Sequence, residues 1–287
     1  MAFLGSRLLP RVCRANGNGL LGSLRLASSK EFVSVEKRED KIAVVSLNRA
    51  PVNALNYPLL SELANTFTEL EDDRAVKSII VASNVPGIYS AGLDILEMYQ
   101  ATDESARRFW KSLQDMWLSL YACTKPTVAA INGASPAGGC LIACACDYRV
   151  MAESNKYTIG LNETKLSIVA PFWFMDTYVA TIGQRSAERA LILGSLFSPT
   201  DALKIGLVDE VVASDQVMER ATAECLQHMK IPNAARVMTK RQVREHIVER
   251  FEAGRENDVD MFAAFVLQDS VQAGLGRYLE ALKAKSK

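Results

Sequence analysis

The chain has 287 residues, 49% of them apolar and 23% charged, with 33 basic and 33 acidic side chains and two histidines. That size and apolar content suit one large globular domain or two small ones, and they exclude a disordered tail, a collagen-like chain and a disulfide-stapled miniprotein. A formal charge of zero argues against a nucleic-acid binder, which needs a basic excess to neutralise phosphates.

The charge is unevenly spread. The first thirty residues hold Arg7, Arg11, Arg14, Arg25 and Lys30 but no acid, and the first acidic residue is Glu31. Arg7, Arg11 and Arg14 share one helical face, Phe3, Leu4, Leu8 and Val12 offer apolar cover, and Ser23, Ser28 and Ser29 follow. This composition predicts a mitochondrial transit peptide over residues 1–29 and a destination in the mitochondrial matrix. Its removal takes away arginines and no acids, leaving a mildly acidic chain. Cys13, Cys123, Cys140, Cys144, Cys146 and Cys225 form no CxxC pair and have no histidine at ligand spacing, so they read as small buried residues and no metal site is expected. No apolar run reaches the roughly 18 residues of a membrane span, because Asn132, Ser135 and Pro136 break the longest candidate.

From Phe32 onward, short β-branched runs alternate with helical patterns, the rhythm of an α/β domain. Val33–Val35 and Ile42–Leu47 predict a hairpin, and a helix is expected from Pro58, with Leu59, Leu63, Phe67 and Leu70 on one face. Ser78–Ala82 predicts a buried strand, followed by a glycine-bearing loop to Asp94 and a helix from Ala101 to Cys123. Thr127–Ile131 is the next strand, Gly133–Gly139 a loop, and Cys140–Cys146 a helix of small residues. Strands at Tyr148–Ala152 and Lys156–Ile159 precede a loop at Gly160–Glu163. Beyond Thr181 the pattern is helical, with segments at Ser186–Leu193, Thr200–Ile205, Ser214–His228, Pro232–Arg250 and Asp258–Lys283. No linker separates this tail from the strand-rich part, so its apolar face must be buried on the chain's own core or on another subunit.

Two loops run from a strand into a helix: Ser90-Ala91-Gly92-Leu93-Asp94-Ile95, and Asn132 to Cys140 with Gly138-Gly139 near its end. Such turns leave free backbone N–H groups at a helix start, able to bind an anion or a developing oxyanion. The second loop lacks the Lys and Ser/Thr of a P-loop, and neither is G-x-G-x-x-G. On these features alone the glycines serve close packing as readily as an oxyanion. There is no G-x-S-x-G elbow, and His228 and His246 sit among charged neighbours in the tail, so a Ser-His or Cys-His triad has little to work with. Carboxylates remain as acid–base candidates. Glu163 stands out because it lies between a β-like run and the apolar stretch Leu166–Phe174, where burial would raise its pKa and suit it as a base; a helix-capping role is the alternative.

These loops and Glu163 closely resemble the crotonase (enoyl-CoA hydratase/isomerase) superfamily over residues 32–287. The marks are Leu47-Asn48-Arg49 with Asn53-Ala54-Leu55-Asn56, the Ser90–Ile95 loop, Lys125-Pro126, Ile131-Asn132-Gly133, Gly138-Gly139-Cys140, Cys146-Asp147-Tyr148-Arg149, and Gly206-Leu207-Val208. Their joint order and spacing are specific, and within the superfamily Pro136–Leu141 and Gly160–Thr164 resemble the isomerase branch. The resemblance implies an α/β fold, a crotonase-like spiral of ββα units in residues 30–225, with a helical C-terminal trimerisation region at 226–287 and hence a homotrimer. It implies that the backbone N–H groups of Leu93 and Gly138 form an oxyanion hole for a CoA thioester. Ala91, Gly92, Leu93, Asp94, Ile95, Gly138 and Asn162 would then bind the acyl-CoA substrate, while Asp94 and Asp147 also carry structural roles. Hydratases of the superfamily use two glutamates; here Leu141 stands at the first position and Glu163 at the second. One carboxylate suits a 1,3-proton shift from 3-enoyl-CoA to trans-2-enoyl-CoA, with no metal and no cofactor beyond the CoA of the substrate. The competing expectations are a dienoyl-CoA isomerase, hydratase or acyl-CoA hydrolase, and a non-catalytic acyl-CoA-binding protein.

Overall fold

The computed structural model describes residues 32–166 and 168–285, and the expected transit peptide at residues 1–29 lies outside them. β1 (Val33–Lys37) and β2 (Ile42–Leu47) form the anticipated antiparallel hairpin, with Val35 opposite Val45. α1 (Tyr57–Asp72) follows, capped by the Asn56 side chain on the Leu59 amide and buried through Leu59, Leu60, Leu63, Phe67 and Leu70.

Three strand–strand–helix units come next. β3 (Ser78–Ser83) and β4 (Gly87–Ile88) lead to α2 (Asp103–Tyr121). β5 (Thr127–Ile131) and β6 (Gly133–Pro136) lead to α3 (Gly138–Ala145). β7 (Tyr148–Ala152) and β8 (Ile159–Gly160) lead to α4 (Phe172–Ile182). After α5 (Gln184–Leu193) and α6 (Pro199–Lys204), β9 (Glu210–Val212) returns to the sheet. The first strand of each unit enters a sheet of order β1-β2-β3-β5-β7-β9, and the second enters a small sheet of order β4-β6-β8. Among the described residues every pair of these strands beyond the hairpin is parallel, so the chain winds as a spiral of ββα units, the crotonase fold.

The central strands are buried on both faces, which is why β2, β3 and β5 read as continuous apolar runs rather than alternating ones. On one face Ile42, Val44, Ile80, Val128 and Val150 pack on Val217, Ala221 and Cys225 of α7 (Val217–Met229). On the other, Val45, Val81, Ala129 and Ile131 join the main core with the helices α1 and α2. Close approach of the small-sheet strands depends on Gly133: a Cβ there would lie 2.1 Å from the Gly87 carbonyl carbon.

The tail differs from expectation. Rather than breaking after Arg250, α8 runs unbroken from Asn233 to Val266, and α9 (Asp269–Lys285) follows. Gly254 does not interrupt it, and any Cβ at that position would stand 3.0 Å from the Phe172 ring, so the glycine makes room for α4. α8 folds back on the core of its own chain. The Asp258 carboxylate accepts from Trp110 Nε1 at 2.7 Å, Gln114 Nε2 at 2.8 Å and Trp173 Nε1 at 3.0 Å, joining α2, α4 and α8 in one buried knot. Three further elements depart from the sequence reading. Residues expected as a loop begin as β6, α3 starts at Gly138 instead of Cys140, and the apolar stretch after Leu166 contains the start of α4. The short strands owe their existence to pairing with distant partners, which local patterning does not register.

Candidate active site

The loop after β4 is held from three sides. Tyr89 and Ser90 donate their amides to Ala134 O, Ala91 donates to Val52 O, and Ser90 Oγ donates to Asn53 O at 2.8 Å. Asn53 is wholly buried and adopts φ +48°, with its side-chain amide donating to Ser83 Oγ and Tyr89 O. Gly92 then turns the chain at φ +90°, a conformation open to glycine at little cost. On either side of Leu93, Leu55 donates to Gly92 O and Asp94 donates to Leu55 O. The Leu93 amide itself has no acceptor among the described residues.

Asp94 fixes the far end of this loop. Its carboxylate accepts from Arg49 Nη2 at 2.7 Å and from the Leu96 amide at 3.1 Å, while Arg49 Nη1 donates to Ala54 O at 2.7 Å. With both oxygens engaged and only 9% of the residue exposed, Asp94 holds the loop's shape. The C-terminal tail adds a second support: Gln272 of α9 accepts from the Gln100 amide and donates to Met98 O.

The second loop meets the first edge on. Ala137 sits at φ +50°, ψ −121°, a conformation that L residues seldom hold and that costs about 1–3 kcal/mol. Its amide donates to Gly160 O and its carbonyl accepts from Leu141 N, which clamps the strained residue in place. The following amide, Gly138, stands at the N-terminus of α3 and has no acceptor among the described residues. The two loops leave no spare room: a Cβ on Gly92 would lie 2.8 Å from Ala137 Cβ and 3.1 Å from Gly138 N, and one on Gly138 would lie 2.8 Å from Leu55 Cδ1. Two unsatisfied backbone donors therefore sit side by side on rigid turns, an arrangement suited to binding an oxyanion.

β8 brings the segment that carries Glu163 against the second loop. Pro136 pairs with Gly160, the Ala137 amide donates to Gly160 O, and Glu163 follows three residues later as the first residue of a short 3-10 turn, Glu163–Leu166. Its Oε2 is buried with no hydrogen-bond partner among the described residues, and Asn162 Oδ1 next to it is in the same condition. Burial pushes the Glu163 carboxyl up from 4.5 to about 7, against a smaller opposing pull from its own amide. A carboxylate ionising near neutrality fits a general base. Leu141 is 1% exposed on α3, so that position supplies hydrocarbon and no second carboxylate.

Other candidates lie elsewhere. His228 pairs with Glu224 at 3.1 Å on α7, and Asp147 is locked by Lys240 at 2.7 Å and Arg244 at 2.9 Å, tying the strand β7 to α8. Among the described residues no group of three His, Cys, Asp or Glu side chains is placed to hold a metal ion.

The profile of the enoyl-CoA hydratase/isomerase family matches residues 37–287. The chain belongs to that family. It is 48% identical over 264 residues to the Mus musculus protein named enoyl-CoA delta isomerase 1, mitochondrial, covering 92% of this chain and 91% of that one. The Rattus norvegicus protein of the same name is 45% identical over 287 residues, covering 99% of both. The crystal structure of human mitochondrial delta3-delta2-enoyl-CoA isomerase superposes with a TM-score of 0.88 at 44% identity, covering 90% of this chain and 100% of that chain. As an enoyl-CoA hydratase/isomerase family member, the chain has both glycine loops and Glu163 inside the stretch that the family profile matches. The sequence reading brought Ala91 to Ile95, Gly138, Asn162 and Glu163 together, and the structure places all of them on the three abutting loops. It did not anticipate the positive φ of Ala137, because a single backbone conformation held by distant hydrogen bonds leaves no mark on a local pattern.

Proposed function

We propose that this protein is a mitochondrial enzyme of unsaturated fatty-acid oxidation that converts 3-enoyl-CoA, cis or trans, to trans-2-enoyl-CoA. The observation that carries this reading is the Glu163 carboxyl, whose Oε2 is buried without a partner and which burial pushes up to about 7, together with a leucine rather than a second carboxylate at position 141. Ionised Glu163 removes a proton from C2. The C–H electron pair moves into a dienolate, and the charge that gathers on the thioester oxygen is met by the Leu93 and Gly138 N–H groups. Each donor contributes about 3 kcal/mol to lowering the barrier. Glu163 then returns the same proton to C4 as the carbonyl re-forms and the remaining double bond settles between C2 and C3. No electron is gained or lost, so the step balances without a redox partner.

A hydratase must in addition activate a water, a task that Leu141 cannot share. Ala91, Gly92, Asp94 and Ile95 shape the thioester path, and Asn162 orients the substrate beside the base. The acyl-CoA thioester is the partner this site requires. Assembly as a homotrimer belongs to the same proposal and agrees with the exposed apolar side chains of Ile192 and Leu193 on α5; sedimentation at equilibrium measures it. The activity is tested by the ultraviolet absorbance of the conjugated thioester formed from 3-enoyl-CoA. Wild type should produce it, and Glu163→Gln should lower kcat at least about a hundredfold. Turnover that survives the substitution refutes the role of Glu163, and rapid hydration of 2-enoyl-CoA by wild type refutes the isomerase reading.

A further inference from the structure

The base has an unclaimed neighbour. Tyr178, on the buried face of α4, is 1% exposed, and its Oη has no hydrogen-bond partner among the described residues. A buried hydroxyl left unpaired costs about 1–3 kcal/mol, so a position that keeps a tyrosine where phenylalanine would pack needs a reason. The Tyr178 hydroxyl lies beside the Leu161 amide, two residues before Glu163, and the titratable groups facing it are Glu163 and the thiols of Cys140 and Cys144 on α3. Glu163 has the complementary shortage, since its Oε2 is a buried acceptor without a donor. Asn162 Oδ1, also partnerless, is an acceptor and cannot supply one. Among these side chains Tyr178 therefore holds a donor without an acceptor, and Glu163 Oε2 is an acceptor that needs a donor whenever it is charged.

We propose that Tyr178 is a positioning residue for Glu163: its hydroxyl donates to the Glu163 carboxylate in the ionised state and holds one oxygen, leaving the other to face the substrate carbons. This rests on the reading of Glu163 as the base. Burial keeps the phenol protonated far into the alkaline range, so Tyr178 stays a donor at every pH at which the enzyme works. A proton that must leave C2 and reach C4 needs a carboxylate whose free oxygen is aimed between them, and one fixed oxygen achieves that.

The test is the pH profile of kcat/KM for isomerisation. Tyr178→Phe removes only the hydroxyl and should move the acid limb upward by about one pH unit, because a hydrogen bond to the charged form is lost. At pH 6.5 kcat should fall about tenfold with KM unchanged, and at pH 9 the gap should narrow to about threefold. Tyr178→Leu should share the shift. An acid limb at the wild-type position in both variants overturns the proposal. Infrared difference spectra of the wild-type enzyme with ring-labelled tyrosine provide a test that needs no variant at Tyr178: ionising Glu163 should shift one tyrosine C–O stretch, absent in Glu163→Gln. No shift also overturns it. If wild type lacks isomerase activity altogether, the assignment of the base fails, and the infrared measurement still decides whether the two groups meet.

Discussion

Replacing Glu163 with glutamine should make the protein inactive and, at alkaline pH, more stable. The carboxyl titrates at about 7 in the folded protein against an ordinary value of 4.5, because burial disfavours the charged form. The folded state therefore holds this proton more tightly than the unfolded chain. Its stabilising effect is complete below about pH 4.5 and is lost as pH rises through 7. The displacement corresponds to about 3 kcal/mol of stability lost above pH 7. Glutamine cannot ionise, so it escapes that loss, although its amide enters the same partnerless position and gives back part of the gain. Thermal unfolding followed by circular dichroism should then show Glu163→Gln melting about 3–9 °C above wild type at pH 8 and close to wild type at pH 5. Parallel melting temperatures for the two proteins across pH 5–8 would refute the argument, since they would mean that Glu163 is not a buried, ionising base.

Two further changes probe the frame around it. Gly92→Ala forces a side chain into a residue at φ +90° and to within 2.8 Å of Ala137 Cβ, displacing the Leu93 amide; steady-state assay should show kcat reduced about a hundredfold or more with the fold retained. Asp258→Ala strands the donors of Trp110, Gln114 and Trp173 inside the knot between α8 and the core, so urea unfolding should report a loss of about 3–5 kcal/mol, and Asp258→Asn a smaller one.

Much of this protein is written locally. The runs Ile42–Leu47, Ser78–Ala82 and Thr127–Ile131 announce buried strands because both faces of the sheet are covered and every position must be apolar or small. The site loops are legible for a related reason. Glycines at positions 92 and 138 and a lone glutamate at 163 mark places where the backbone has to come close or a charge has to be buried, and those demands restrict residue type at single positions.

What the sequence alone determines is the list of parts: the strands, the helical tail, the two turns with free amides and the one carboxylate. Only the tertiary structure decides how they act on one another. Strands of two to four residues exist because distant partners pair with them, as Pro136 does with Gly160, and that pairing is what brings the segment leading to Glu163 against Ala137, the residue before Gly138. Ala137 holds a left-handed conformation because hydrogen bonds on both sides fix it. The ionisation of Glu163 and the unspent hydroxyl of Tyr178 arise from burial by segments far apart in the chain. Local pattern records what each residue can do, whereas desolvation and unpaired donors are properties of the space that many residues enclose together.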